Sequence, residues 1–231
     1  MARIYSSRRY LLAHIARFYD AGIEGLLNKM LGVAKRGALL EKALGGLRAS
    51  GQVGVNRQEE LAVLSVDIRG SSKLAERLSA DQMFLVFQCY LPLMVVLTEE
   101  RGGDVVGLRG DGVLSAFGIG QSSWKTTVEV AYETGMAMLE VTTDLLTPFL
   151  RSKGIPVELV SGCAIDIGKV TVTKIGFRST VEVTAYGPAV NWAAKQSKGE
   201  NSLWLSGAAR MHYKGVGKEK EVRRSYTRLV D

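Results

Sequence analysis

Cysteine and histidine are nearly absent from this chain of 231 residues, with two of each. Cys89 and Cys163 both sit inside apolar segments, where a lone thiol behaves as a small buried hydrophobe, so neither a disulfide nor a cysteine-based metal pair is expected. His14 and His212 stand far apart without neighbouring ligand residues, which removes a zinc site. Long apolar runs are missing too: the richest stretch, Met83 to Leu97, is 15 residues and is interrupted by Gln88 and Pro92, short of the roughly 18 or more that a membrane span requires. The start, MARIYSSRRYLLAHIARFYD, has arginines but no continuous apolar core and no small-residue cleavage site. A cytoplasmic protein without a transmembrane segment is the expectation.

What is present is positive charge and 46% hydrophobic residues, enough for one good core. The net charge of +7 is unevenly placed, since residues 2–50 hold nine Lys/Arg against three acids. A basic stretch could attract nucleic acid or polyphosphate, but no aromatic interleaving and no reading motif accompanies it, so a solvated helix face is expected and nucleic acid is not. Within 7–48, Leu11, Ile15, Phe18, Tyr19, Ile23, Leu26, Leu27, Met30 and Leu31 recur at helical spacing, with breaks near Gly32 and Gly45. The polar segment 51–60 reads as a linker, dividing the chain into a basic helical segment (1–58) and a main domain (59–231).

The main domain begins with a strand, LAVLSVDI (61–68), then a helix capped by Asp81 and reaching about Arg101. DVVGL and VLSAF flank the turn RGDG, a hairpin with Asp111 at its tip. A long helix, Trp124 to Leu150, kinked by Pro148, leads to three β-rich runs, VELVSGCAID, KVTVTKI and VEVTAYG. PAVNWAAKQSK opens a helix with Pro188 in its first turn, and LWLS and EVRRSYTRLV close the chain. This order predicts an α+β fold, an antiparallel or mixed sheet with helices on one face, related to the ferredoxin-like pattern.

Pairing of the 61–68 strand with the hairpin would bring Asp67 and Asp111 to one edge of the sheet. Two carboxylates there suit magnesium or manganese, which take carboxylate, phosphate and water oxygens. Each aspartate alone could equally cap a turn.

The four segments SVDIRGSSKLAERL, GGDVVGLRGDGVLSAFG, GCAIDIGKVTVTKIG and VTAYGPAVNWAAK resemble, in order and spacing, the catalytic motifs of class III adenylate and guanylate cyclases over about residues 60–230. The resemblance implies the class III cyclase fold, with a βαββαβ-derived sheet flanked by helices behind an N-terminal helical preface. It implies that Asp67, Asp111 and the backbone carbonyl of Ile68 ligate two Mn2+ or Mg2+ ions, and that active sites form between the subunits of a head-to-tail homodimer. The partner would contribute Thr184, Asn191 to position the ribose, and Lys195, where the family has arginine, to stabilise charge on the α-phosphate; the lysine keeps the charge but loses the planar fork. Lys214 would contact the terminal phosphates.

The family reads a purine with Lys or Glu at the position held here by Gly107, which has no side chain to donate or accept. Ser71 replaces the family's aromatic after DIRG. With the helical preface, these departures resemble the pyrimidine cyclases of bacterial antiphage (Pycsar) systems. A metal-dependent conversion of UTP or CTP to the 3′,5′-cyclic monophosphate and pyrophosphate is implied, uridylate cyclase being preferred, with the product read by a separate effector protein. The alternatives are an adenylate or guanylate cyclase, an inactive nucleotide-sensing module, and a nucleotidyl transferase palm, which the small chain and the 187–195 motif disfavour.

Overall fold

A computed structural model of the chain describes residues 7–30, 56–119, 124–177 and 180–213. Lys214 and the closing segment EVRRSYTRLV lie outside the described residues, as does 31–55.

The sheet is organised around β1 (Asn56–Ile68), which pairs antiparallel with β3 (Gly112–Phe117) on one side and β4 (Ser161–Phe177) on the other. With β2 (Asp104–Arg109) and β5 (Thr180–Tyr186) at the ends, the order is β2-β3-β1-β4-β5, and β6 (Ser202–Leu205) runs parallel to the first part of β4. Because β1 is covered on both faces, its apolar run is continuous rather than alternating. Ala62, Leu64, Val66 and Ile68 enter the main core, while Leu61 and Val63 face a second cluster with Val106, Leu114, Ala116, Val170 and Ala185. Full burial of each such Leu, Ile or Val contributes about 1.5–3 kcal/mol.

Most helices cover the first face: α1 (Arg8–Met30), α3 (Ala80–Glu99), α4 (Trp124–Val141) and α7 (Gly207–His212). α6 (Pro188–Gln196) covers the other, pressing Ala189, Val190 and Ala193 onto Leu61 and Val63. The expectation of helices on one face is therefore corrected. The small side chains of α6 let its backbone lie close over β4, where a Cβ at Gly187 would stand 2.5 Å from the Lys169 carbonyl oxygen.

Several boundaries differ from the expected ones for local reasons. β1 begins at Asn56, so Asn56–Glu60 of the expected linker pairs with Lys169–Thr173, and the 58/59 boundary falls inside a strand. α3 is capped by Ser79 rather than Asp81: the Ser79 hydroxyl accepts from the Gln82 N–H while the Gln82 side chain accepts from the Ser79 N–H, two orphan donors satisfied reciprocally. A short helix, α2 (Ser71–Arg77), precedes it. The first two predicted β runs, VELVSGCAID and KVTVTKI, are one strand, β4, continuous through Gly168.

The helix expected from Trp124 to Leu150 is interrupted at Thr142–Leu146 by a π-turn before α5 (Thr147–Ser152), where the Thr147 N–H reaches back to the Thr142 carbonyl. Pro148 has no N–H to offer the carbonyl four residues earlier, and that group, Asp144 O, accepts instead from Arg8 Nη2 at 3.3 Å. α1 is thus tied to the body by polar contact as well as by Leu11 and Ile15 in the main core.

Among the described residues α3 alone is long and apolar enough to cross a membrane, and just over half of that stretch is buried against the sheet and α1, as in a core helix.

Candidate active site

Asp67 is the second-last residue of β1 and lies directly opposite Gly112 on β3 and Gly162 on β4. Side chains alternate along a strand, so Asp67 shares the face of Leu61, Val63 and Ser65, the face that α6 covers. Asp111 is the second residue of the two-residue turn joining Arg109 to Gly112, and Gly110 before it has φ +62°, a left-handed conformation that favours glycine in tight hairpins. Gly112 makes the approach of the two aspartates possible, since a Cβ there would stand 2.9 Å from the Val66 carbonyl oxygen and 3.1 Å from Asp67 Oδ1.

The two carboxyls meet closely enough to perturb one another. The Asp67 pKa is pushed up to about 6, first by burial, then by the charge of Asp111 and by a hydrogen bond with its carboxyl; the Arg69 guanidinium and the Ile68 N–H pull in the opposite direction. Arg69 Nη1 donates to Asp67 Oδ2 at 3.2 Å. Ile68 ends β1 opposite Ser161 with its side chain buried in the main core, which leaves its backbone as the group available to the site. Gly70, at φ +69°, then turns the chain into α2, where Ser71 is half-buried at the first position.

These donors fit a hard divalent cation. Two crowded carboxylates are stabilised by a positive ion between them, and oxygen donors match magnesium and manganese. Among the described residues no group of three or more His, Cys, Asp and Glu side chains forms a fuller cage. Two carboxylates suit ions that complete their shell with water and substrate phosphate.

The other expected residues lie elsewhere. Thr184 is half-buried on β5 opposite Thr173. Asn191 and Lys195, four apart on α6, are both exposed and point away from the buried Ala189, Val190 and Ala193. Among the described residues, no hydrogen bond or ion pair joins either to Asp67 or Asp111. Gly107 follows an irregularity in β2 and pairs with Leu114, which pairs with Ser65, so Gly107 lies on the face shared with Asp67. Gly107 is buried, and a Cβ there would make an ordinary contact with Leu114 Cβ at 3.9 Å.

Sequence reasoning did not assign a role to Arg69, which stands two residues after Asp67 and one beyond the end of β1. It also missed a buried hydroxyl pair beneath the strand end, Tyr90 Oη and Ser161 Oγ at 3.0 Å.

The fold recurs in solved structures. The adenylyl cyclase CyaB from Pseudomonas aeruginosa matches at TM-score 0.62 with 25% identity, over 68% of this chain and 82% of that one. This chain has the class III cyclase fold. The guanylyl cyclase Cya2 matches at TM-score 0.61 with 21% identity over 68% and 79%. A class III adenylyl cyclase-like ATP-binding protein from Pseudomonas aeruginosa shares the fold at TM-score 0.60 and 18% identity, over 78% and 43%. By sequence, the chain is 24% identical to an adenylate cyclase from Anabaena cylindrica over 144 residues, 62% of this chain but 28% of that protein, so it spans under a third of that relative's length. No family model matches.

Proposed function

We propose that the chain is a metal-dependent nucleoside triphosphate cyclase whose active sites form between two head-to-tail copies. The observation that carries this reading is the crowded Asp67–Asp111 pair at the end of the central strand of a class III cyclase fold. Asp67, Asp111 and the Ile68 carbonyl hold two Mg2+ or Mn2+ ions. When bound, such ions acidify the ribose 3′-hydroxyl and share the negative charge of the departing pyrophosphate. The 3′-hydroxyl gives up its proton to solvent, and its oxygen forms a bond to the α-phosphorus in line as the bond from that phosphorus to the β-bridging oxygen breaks. Asn191 of the second copy orients the ribose, Lys195 offsets charge on the α-phosphate, and Thr184 faces the base. The chain supplies positioning and charge rather than a covalent intermediate.

The substrate we infer is a pyrimidine nucleotide, UTP before CTP. Gly107 offers no side-chain donor or acceptor to read a purine. In this reading the product is a second messenger of bacterial antiphage defence, passed to a separate effector. Similarity to the Anabaena adenylate cyclase favours a purine cyclase as the second reading, and Lys195 in place of the fork-shaped arginine favours a nucleotide-binding module.

One pair of experiments tests the proposal. An assay with Mn2+ or Mg2+ and each of the four triphosphates, products identified by mass, should give cyclic UMP foremost. Asp67→Ala and Asn191→Ala chains, each inactive alone, should regain up to about a quarter of activity on mixing, since a mixed dimer keeps one intact composite site. No recovery from folded chains would defeat the head-to-tail arrangement, and a linear or purine product would defeat the substrate assignment.

A further inference from the structure

Arg69 makes two contacts through one nitrogen. Its Nη1 donates to Asp67 Oδ2 at 3.2 Å and to the carbonyl oxygen of Ser197 at 3.1 Å. Ser197 is the residue that ends α6, its N–H bonded to the Ala193 carbonyl at 3.1 Å. The end of α6 is held over β1 and β4 by two further constraints. Ser65 Oγ donates to Ser197 Oγ at 3.4 Å, and Gly162, opposite Asp67, leaves so little room that a Cβ would lie 2.6 Å from the Ser197 carbonyl oxygen and 2.4 Å from that of Gly199. The guanidinium is about a quarter exposed and permanently charged. It therefore acts as a resident cation on one member of the carboxylate pair and, through the same atom, as a tie to the last turn of the helix that bears Asn191 and Lys195.

We infer that Arg69 is a positioning residue linking the metal carboxylate of one active site to the helix donated to the other. This rests on the cyclase reading. A divalent ion at Asp67 and Asp111 repels the guanidinium and takes over the carboxylate charge that held it. Because one nitrogen serves both partners, loss of Asp67 also loosens the hold on the Ser197 carbonyl. Occupancy of one site thus changes the constraint on Asn191 and Lys195, which serve the second site of the dimer. The guanidinium also competes with the ion, so binding in the absence of nucleotide is weaker than the two carboxylates alone would give.

The test uses the full chain without nucleotide. Mn2+ binding is read from the electron paramagnetic resonance of free Mn2+, and amide exchange over Ala193–Ser197 is read by mass spectrometry with and without Mn2+. Arg69→Gln should bind Mn2+ about two- to fivefold tighter than the parent, the range set by removing a partly exposed ion pair, whereas Arg69→Lys keeps the charge and the parent affinity. Exchange at the end of α6 should rise on adding Mn2+ to the parent and be independent of Mn2+ in Arg69→Gln. A merely structural arginine would lower thermal stability in both variants and move neither readout. Unchanged or weaker Mn2+ binding by folded Arg69→Gln overturns the competition, and in the parent protein, exchange indifferent to Mn2+ overturns the coupling even if the variants do not fold. Asp67→Asn in the same assay separates the two levels. If it binds Mn2+ like the parent, the metal reading itself fails; if it loses binding while Arg69→Gln changes nothing, only the link through Arg69 fails.

Discussion

Replacing Asp67 by asparagine should stabilise the metal-free protein while abolishing its activity. The folded carboxyl titrates at about 6 against a usual value of 3.8, so its ionisation opposes folding. The native state holds its proton to higher pH than the unfolded chain, and the wild-type stability contribution, full below about pH 4, is lost as pH rises through 6. A shift of about two pH units corresponds to at most roughly 3 kcal/mol. Solvent screening at a side chain 31% exposed reduces this to about 1–2 kcal/mol. For a domain of this size that is a rise in Tm of roughly 2–8 °C. Urea denaturation in EDTA at pH 4.0 and pH 7.5 reads the effect directly: the variant should gain stability over the parent at pH 7.5 and little at pH 4.0. Excess Mn2+ at pH 7.5 should stabilise the parent and not the variant, because a ligand that binds only the native state adds stability by mass action. An Asp67→Asn protein less stable than its parent at pH 7.5, or a difference that does not change with pH, would refute the claim that the pair is held under mutual repulsion.

Three other outcomes follow from packing. Ile15→Ala empties a fully buried position beneath α3 and should cost about 2–5 kcal/mol in urea denaturation. Gly162→Ala drives a methyl into the Ser197 and Gly199 carbonyl oxygens; a loss of about 1–3 kcal/mol is expected, with a lower kcat because the end of α6 must shift. Gly107→Lys adds a donor at a buried position where the Cβ itself makes only an ordinary contact with Leu114 Cβ at 3.9 Å; the ratio of purine to pyrimidine product should rise in a competition assay, and a folded variant with an unchanged ratio would refute the reading role of this position.

How much was readable in advance depended on whether the deciding contact was local. The strand 61–68, the RGDG hairpin and the Pro188 helix were legible because apolar runs, a glycine-bearing turn and a first-turn proline act within a few residues. The meeting of Asp67 with Asp111 was legible as a consequence of strand pairing, and Asp67 indeed faces Gly112. The continuity of β4 was not, because Gly168 looks like a break until Leu61 of β1 is seen opposite it. The placement of α6 on the far face was hidden for the same reason: its small side chains pack on an apolar cluster drawn from strands far apart in sequence. Arg69 and Ser197 are 128 residues apart, beyond the reach of any local pattern.

The basic residues of the segment 2–50 predict a solvated helix face, and the apolar positions at helical spacing predict a buried one. α1 lays that apolar face on the body of the domain. Leu11 and Ile15 are buried with Val86 and Cys89, and a Cβ at Gly22 would stand 2.8 Å from Leu85 Cδ2, so the two helices meet backbone to side chain. Cys89 belongs to the same contact: its thiol lies 4.0 Å from the Ile15 carbonyl oxygen, and burial raises its pKa to about 12, which keeps it protonated and unreactive. The Arg8 guanidinium adds a contact at Asp144, the carbonyl left free by Pro148. A helix joined at its start to a π-turn and along its length to α3 is part of the wall behind the Asp67 strand.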